Sequence, residues 1–349
     1  MAALCAAAVL PATAQEPSAS SKPSPALTQP APPRFREISD EAGRRVRVPL
    51  EIRRIVSLAP SLTEIVFALG AGERLVGVTD FCDYPTDVAG KPKVGGPMNP
   101  SLEQIAALRP DLVLAQANGG NRRETVDALD RIGVPVYATD ARTLRQVIAS
   151  IERLGSLLGI EEQSANLSTA LRSRLDALKA KLAGRAPRRI FFVVWHEPLI
   201  TIGRHTFLAD AMRAAGGELA MDLEQDWPRI SLEKLVSLQP ETLVFASSHD
   251  EEMRRTIQEL RELPGWRILD AVKNNRIVVL SDAVNRPAPR LIDCIEQLAR
   301  QLHPEAFSET PENGKGKMEK GPPALAFAPF PVSFFPFAAS SSGLSRGAL

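Results

Sequence analysis

The stretch SLEQIAALRPDLVL, residues 101–114, returns as SLEKLVSLQPETLV at residues 231–244. The offset from 101 to 231 is 130 residues, and the Ser, Leu, Glu and Pro positions of the two copies coincide. Each copy has the pattern of a helix start, a helix and a buried strand. A unit that is repeated at this distance predicts two lobes of similar structure.

Length and charge limit what these lobes can be. The chain has 349 residues, of which 44% are hydrophobic and 24% charged, an ordinary globular composition that is long enough for two domains with their own cores. With 42 Lys and Arg against 41 Asp and Glu, the net charge is +1, so no overall field attracts nucleic acid or an anionic membrane. We therefore expect neither as a partner.

The two ends of the chain differ from its middle. Residues 1–14, MAALCAAAVLPATA, combine a short apolar run with a small-x-small cleavage pattern, which predicts an export signal that lacks a basic start. Lipidation of Cys5 is not expected, because Leu4 directly precedes it. Residues 15–33 form a linker rich in Pro and Ser. Residues 308–349 have no helical or strand period, and we interpret them as a disordered tail.

Between these ends the pattern is that of an α/β protein. Apolar runs such as residues 55–58 and 111–115 alternate with helical segments, which predicts parallel strands joined by crossover helices. The first helix, SLTEIVFALG, is expected to begin with Ser61 as its N-cap and Glu64 as the second half of a capping box. Gly70 is expected to end it.

One long helix is predicted between the lobes, over residues 151–186. Its leucines follow one another at spacings of four, four, three and four, at Leu167, Leu171, Leu175, Leu178 and Leu182. Ser164 is the expected N-cap, and about 18 residues at 1.5 Å each span about 27 Å. Residues 34–150 then form the N-terminal lobe and residues 187–307 the C-terminal lobe. A ligand cleft is expected between them, at the carboxyl ends of the strands.

Catalytic and metal-binding motifs are weak in this sequence. LGAGERLVG offers Gly70 and Gly72 but no third glycine, and it follows a helix rather than a strand, so it is not a dinucleotide loop. The sequence has no GxSxG elbow, no phosphate loop, no CxxC and no histidine spacing typical of a metal site. The alternative from another class is an exported hydrolase that uses Asp226 and Glu224, although nothing in the sequence sets their geometry. We expect no enzyme, no cofactor and no bound metal.

Three longer stretches resemble a known family. They are RRIVSLAPSLTEIVFALGAGERLVGVTDFCDYP, MNPSLEQIAALRPDLVLA and VLSDAVNRPAPRLIDCIEQLA. Over about residues 34–307 the chain is similar to the periplasmic substrate-binding proteins of ABC importers for cobalamin, ferric siderophores and haem. The resemblance implies two Rossmann-like lobes on a rigid helix, no catalysis, a periplasmic location and delivery of a ligand to a permease dimer in the inner membrane. Because the cobalamin binders look most similar, we expect the ligand to be cobalamin or a related corrinoid, with ferric siderophore or haem as the alternative. We also expect the protein to be a monomer.

The resemblance also implies functional residues. Members of the family dock on the permease through one glutamate per lobe, which corresponds to Glu103 and Glu233 here. An acidic residue in the first turn of a helix is also stabilised by the helix dipole alone, so both explanations stay open. Ligand contacts are implied in the loops after the strands, at Pro60, Ser61, Tyr84, Met98, Asn99, Trp227, Asp282 and Arg286. Trp195 and His196 are candidates from the opposite lobe, and His196 is the one candidate ligand for a cobalt or iron atom.

Two features bear on how the cleft is built. Relatives that bind cobalamin carry further tryptophans where this chain has Gly95, Gly96, Gln116 and Ala117, which indicates a wider pocket or a different ligand. Beyond Cys5, the cysteines are Cys82 and Cys294, one in each predicted lobe. In an oxidising compartment these two can pair, so a disulfide between the lobes is one expectation.

Overall fold

The N-terminal lobe is built on a parallel sheet of four strands. A computed structural model describes residues 34–117 and 121–308. The predicted export signal, linker and tail, apart from Ser308, lie outside these residues. In chain order the elements of the lobe are β1 (Phe35–Ser39), β2 (Arg45–Pro49), β3 (Ile55–Ser57), α1 (Pro60–Ala68), β4 (Leu75–Val78), β5 (Gly95–Gly96), β6 (Asn99–Pro100), α2 (Leu102–Ala107), β7 (Leu112–Gln116), α3 (Arg123–Arg131) and β8 (Val136–Thr139). The main sheet has the order β4-β3-β7-β8, and β1-β2 and β5-β6 are antiparallel hairpins.

Two helices connect the lobes, α4 (Leu144–Leu158) and α5 (Glu161–Leu182). The predicted start of the connecting helix is therefore wrong, because Gly159 adopts the left-handed conformation at φ 69° and ends α4. Ser164 is not an N-cap; it lies in the first turn of α5, where its hydroxyl donates to the Glu161 carbonyl. The predicted leucine stripe faces the apolar core as expected.

The C-terminal lobe repeats the architecture of the first. Its elements in chain order are β9 (Arg188–Val193), β10 (Trp195–His196), β11 (Leu199–Ile200), α6 (Phe207–Ala214), β12 (Gly217–Leu219), α7 (Leu232–Leu238), β13 (Thr242–Ser247), α8 (Asp250–Glu262), α9 (Asp270–Lys273), β14 (Ile277–Ser281) and α10 (Leu291–Leu302). The parallel sheet has the order β12-β9-β13-β14. If the strands of each main sheet are counted along the chain, both sheets have the order 2-1-3-4.

The repeated sequence has the same structure in both lobes. Ser101 and Ser231 are the N-caps of α2 and α7, and each hydroxyl accepts a hydrogen bond of 3.2 Å from the backbone N–H three residues later. The helices lead to β7 and β13, the third strand of each sheet. The predicted two-lobed α/β fold is thereby confirmed.

One apolar cluster lies beneath both lobes. The two main sheets are separate, but the cluster runs from Leu62 and Ile65 of α1 through α4 and α5 to Leu291 and Ile295 of α10. A smaller cluster fills the outer face of each lobe. Because burial of apolar surface is the main stabilising term, the shared cluster holds the lobes in a defined arrangement. No helix within the described ranges is both long and apolar enough to cross a bilayer.

Candidate ligand-binding cleft

The cleft lies where the carboxyl ends of the two sheets face each other. In a sheet of order 2-1-3-4, the connections from strands 1 and 3 leave on opposite sides, which opens a crevice between these two strands. In the N-terminal lobe this point lies between β3 and β7, and in the C-terminal lobe between β9 and β13. Side chains in the loops after these strands are therefore placed to contact a ligand.

Asn121 fastens the N-terminal wall of the cleft. Its buried amide donates to the carbonyls of Leu58 at 3.0 Å and Pro97 at 2.8 Å, and its oxygen accepts the N–H of Gln116 at 2.7 Å. The loops after β3, β5 and β7 are thus tied at one point. Ser61 is 3% exposed and donates to the Gln116 side chain at 3.3 Å. It braces the wall and offers little exposed surface to a ligand. Sequence analysis did not identify Asn121, since a polar residue after a strand is common in loops.

The first helix begins differently from the prediction. Its N-cap is Ala59, which has no side-chain cap, and Pro60 occupies the first turn, where its missing N–H costs nothing. Ser61 lies inside α1, so the predicted capping box is wrong. Glu64 is consequently free to point away from the helix start and bind the opposite lobe.

Apolar side chains are exposed on the N-terminal wall. Met98 and Phe81 are 47% and 40% exposed, and Tyr84 is half-buried. The Phe81 ring lies over Gly96, where an added Cβ would contact it at 3.5 Å. Asn99 is exposed and pairs with Gly96 in the β5-β6 hairpin. Phe81 was missed by the sequence analysis, and it covers the space beside a glycine where relatives were expected to have tryptophan.

Two tryptophans are exposed on neighbouring segments of the C-terminal wall. Trp195 pairs with Ile200 across β10 and β11, and Ile200 forms a bridge to Arg229. Trp227 lies in a bend two residues before Arg229 and next to the buried Pro228. Trp195 and Trp227 are 46% and 41% exposed. These two exposed rings are the aromatic surface of the C-terminal wall.

His196 lies beside this surface. It pairs with the buried Leu199 in the hairpin, and its ring stacks on Trp195 with the ring centroids 5.7 Å apart. In the part of the chain that the structure describes, no group of three or more His, Cys, Asp or Glu side chains could hold a metal ion. Any role of His196 as a ligand would therefore be toward a metal that arrives inside a larger molecule.

A buried ion-pair network joins the lobes at one side of the cleft. Glu64 on α1 is 2% exposed and accepts hydrogen bonds from Arg286 at 2.9 Å and from Arg290 at 2.9 and 2.5 Å. Arg286 also donates to Asp83 at 2.5 and 2.9 Å and to Asp282 at 2.8 Å. With all these partners and 12% exposure, the Arg286 side chain is committed to joining the lobes. The predicted ligand contacts by Arg286 and Asp282 thus have a competing explanation.

The charges in the network reinforce one another. Burial raises the pKa of Asp83, but the hydrogen bond and charge of Arg286 outweigh it, so the pKa of this carboxyl lies below its ordinary value. Burial likewise lowers the pKa of Arg286, whereas Asp83, Asp282 and Glu64 raise it above the ordinary value. Asp83 and Arg286 therefore stay ionised near neutral pH. The Arg290 guanidinium in addition lies 3.9 Å from the centre of the Tyr84 ring.

A second ion pair joins the lobes at the other side of the cleft. Arg142, in the loop after β8, donates to Asp226 in the loop after β12 at 3.2 Å. Their side chains are 43% and 29% exposed. A cavity of about 440 Å³ beside this pair is lined by charged side chains such as Arg204 and Glu224. The aromatic residues of the cleft do not line it, so the open cleft is the candidate ligand site.

The two cysteines are free, which contradicts the expected disulfide between the lobes. Each sulfur contacts groups of its own lobe. The Cys82 sulfur lies 3.1 Å from the hydroxyls of Thr63 and Thr79, whereas the Cys294 sulfur on α10 is 4.0 Å from the Ser281 carbonyl. Both side chains are buried within these contacts.

Thiol titration checks this arrangement. In a Cys5→Ser variant unfolded without reductant, Ellman's reagent should detect both Cys82 and Cys294. The native protein should react far more slowly, because both thiols are buried and burial raises the pKa of Cys294 to about 12. Detection of thiols only after reduction would instead show a disulfide.

Glu103 and Glu233 lie in the first turns of α2 and α7 and are exposed. In each lobe this helix connects the second strand of the main sheet to the third, so it begins at the carboxyl ends of the strands. The cleft lies at the same ends, so both glutamates lie on the side of the molecule that carries the cleft. Hydrogen bonds from its own backbone N–H and from Ser231 lower the pKa of Glu233. One negative charge per lobe is therefore presented beside the cleft.

Comparison with known proteins agrees with this architecture. The family model described as periplasmic binding protein matches residues 55–284, and the chain belongs to that family. It is 32% identical over 279 residues to the uncharacterized ABC transporter substrate-binding lipoprotein YvrC of Bacillus subtilis, covering 78% of this chain and 87% of the relative. It is 31% identical over 257 residues to the vitamin B12-binding protein of Vibrio cholerae, covering 73% and 90%.

Solved structures give the same result. The crystal structure of the periplasmic vitamin B12 binding protein BtuF of Vibrio cholerae matches with a TM-score of 0.64 at 29% identity, over 74% of this chain and 99% of that one. The periplasmic haem-binding protein BhuT, in complex with two haems, matches with a TM-score of 0.65 at 28% identity, over 73% and 99%. Proteins of this family are not enzymes and carry no cofactor; they bind a small molecule and deliver it to an ABC permease. The hydrolase alternative is thereby overturned. Members are periplasmic or anchored as lipoproteins.

Proposed function

We propose that the protein captures cobalamin or a related corrinoid in the cleft between its lobes and delivers it to a permease in the inner membrane. The observation that carries the proposal is the pair of exposed tryptophans, Trp195 and Trp227, on segments of the C-terminal wall that the Ile200–Arg229 bridge joins. Phe81, Met98 and Tyr84 form the apolar part of the other wall. Corrin is a broad ring with a partly apolar surface, and flat aromatic side chains suit it.

Exposed aromatic residues of this kind favour a large apolar ligand. Soluble proteins rarely expose a contiguous patch of large apolar side chains unless a partner covers it. A small ion would leave Trp195 and Trp227 uncovered, whereas a corrinoid spans both walls. The similarity to vitamin B12-binding proteins supports the same choice.

Haem is the second candidate, and His196 is the observation that favours it. Its imidazole stacks beside Trp195 at the edge of the aromatic surface, where a neutral ring nitrogen is able to ligate iron. The likeness to the haem-binding protein BhuT supports this candidate. A ferric siderophore is the third ligand class, and no residue in the described part of the cleft specifically favours it.

Titration with three probes separates these ligands. Purified protein would be mixed with cyanocobalamin, haemin or a ferric catecholate, and bound ligand measured by absorbance after gel filtration. We expect cyanocobalamin to co-elute and to quench the fluorescence of Trp195 and Trp227, while the buried Trp266 changes little. Trp195→Ala and Trp227→Ala should each weaken binding about tenfold or more, as aromatic hot spots do.

Matched controls make the result specific. Leu263→Ala removes a side chain that is 48% exposed outside the cleft, and it should leave affinity unchanged. Tighter binding of haemin than of cyanocobalamin, with a spectrum that changes in His196→Ala, would favour the haem candidate instead. Binding of none of the probes, or binding that both tryptophan variants retain in full, would contradict the proposed cleft.

We further propose that Glu103 and Glu233 dock the protein on the permease. A protein with two similar lobes that meets a twofold partner needs one anchor per lobe, and the repeat supplies one at each position. Exposed charges of this kind act mainly on orientation and encounter rate. The export signal over residues 1–14, a periplasmic location and a monomeric state belong to the same proposal.

A further inference from the structure

A second, shorter repeat relates the two lobes. It lies outside the repeat of residues 101–114 at residues 231–244. Asp83-Tyr84-Pro85 and Asp226-Trp227-Pro228 have the same pattern of an aspartate, an aromatic residue and a proline. Each triplet lies in the loop after the second strand of its sheet, β4 or β12. Both aromatic residues are candidates for ligand contact.

The aspartate of each triplet pairs with an arginine of the opposite lobe. Arg286, in the loop after the fourth strand of the C-terminal sheet, binds Asp83. Arg142, in the loop after the fourth strand of the N-terminal sheet, binds Asp226. The two ion pairs are thus equivalent under the pseudo-twofold symmetry of the lobes, and they stand on opposite sides of the cleft.

In each triplet the aspartate directly precedes the aromatic residue in the sequence. The loop that carries Trp227 is also tied to its own lobe, because the Asp226 carbonyl accepts the Gly203 N–H at 2.9 Å and the Pro228 carbonyl accepts the Thr201 N–H at 3.1 Å. These backbone bonds hold the main chain, whereas the Asp226 side chain reaches across to Arg142. The ion pair therefore links the position of Trp227 to the position of the other lobe.

The two pairs differ in how firmly they hold. The Asp83 pair is part of the buried network around Glu64, with several hydrogen bonds. The Asp226 pair is single and partly exposed, and Arg142 has one other carboxylate near it, Asp140 of its own lobe at 3.6 Å. Partly exposed single pairs contribute little to stability. The Asp226 pair is therefore suited to orient a side chain without being needed for folding.

We propose that Arg142 and Asp226 are positioning residues that set Trp227 against the ligand only while the two lobes keep their present spacing. This inference rests on the proposed function of the cleft. Without the ion pair, the Trp227 ring samples more orientations, and its contact with the ligand is weaker although the fold is unchanged. Tyr84 is held on the other side by the buried network and does not depend on Arg142.

The test uses the full-length chain in a Trp195→Phe background, so that only Trp227 and the buried Trp266 remain. Arg142→Gln, Asp226→Asn and the exchanged pair Arg142→Asp with Asp226→Arg are compared with that parent. The first readout is acrylamide quenching of tryptophan fluorescence without ligand, and the second is affinity for cyanocobalamin. We expect both single variants to raise quenching and to weaken affinity about fivefold, as expected for a partly exposed pair. The double variant Arg142→Gln with Asp226→Asn should be no worse than either single one, and the exchanged pair should partly restore both readouts.

The control is an ion pair of similar exposure elsewhere. Glu152 and Arg172 join α4 to α5 at 2.7 Å, with side chains 39% and 48% exposed. Glu152→Gln should leave both readouts unchanged. Quenching that is equal to the parent in Arg142→Gln and Asp226→Asn would overturn the positioning role. Raised quenching in a protein that binds none of the three probes would support the positioning role and overturn the proposed function instead.

Discussion

Transport should fall to background when both first-turn glutamates are reversed in Glu103→Arg with Glu233→Arg, while the Kd for the ligand stays within about twofold. Both side chains are exposed in the first turns of α2 and α7, and neither is one of the apolar and aromatic residues that form the walls of the cleft. Reversal turns an attractive contact with a basic partner into a repulsive one at each lobe. The measurements are ligand uptake in cells that depend on this protein and ligand affinity of the purified variant.

Single reversals and a matched control sharpen this result. Glu103→Arg and Glu233→Arg alone should each reduce uptake partially, because one anchor remains. Glu161→Arg with Glu162→Arg makes the same change of charge in the first turn of α5, with the same loss of favourable interaction with a helix dipole. If that control lowers uptake as much as the docking variant, or if the docking variant transports normally, the two glutamates serve their helices and not the permease.

Stability should drop by about 3–5 kcal/mol in Glu64→Gln, the range for removing one partner of a buried ion pair. Glu64 is 2% exposed. Among the described residues it is the only residue of the N-terminal lobe to which Arg290 donates a hydrogen bond. The neutral amide leaves Arg286 with Asp83 and Asp282 but deprives Arg290 of its carboxylate. Urea unfolding of the ligand-free protein measures the loss.

An exposed pair provides the comparison for this second result. Glu152→Gln breaks the pair with Arg172 and should change the free energy of unfolding by about 1 kcal/mol or less. An equally small change in Glu64→Gln would mean that the apolar cluster under the lobes fixes their arrangement without help from the ion pairs. A large loss would show that the Glu64 carboxylate is needed to hold the lobes together.

Much of the architecture could be predicted because it depends on local patterns. The repeat of residues 101–114 at 231–244 indicated two similar lobes, and the serine caps and the strands after them are found as expected. The leucine stripe of the connecting helix was also predicted correctly. These features depend on hydrophobic period and capping, which are properties of short stretches of chain.

The incorrect predictions concern residues whose partners are distant in sequence. Glu64 has the spacing of a capping box, but Pro60 takes the first turn and Glu64 binds Arg286, 222 residues away. Gly159 was not recognised as the end of a helix, since a glycine within a helical pattern has several roles. Phe81 and Asn121 were missed because their importance comes from the loops that they contact.

The sequence by itself determined that this chain has two α/β lobes, a leucine stripe between them and a family membership, because period, caps and motifs are read along the chain. Only the tertiary structure decided that Arg286 joins the lobes, that the cysteines stay apart, and that the segments of Trp195 and Trp227 are neighbours. Such facts depend on the packing of segments that are far apart in sequence. Burial and pairing across the cleft determine whether a charged or aromatic residue serves the fold or the ligand.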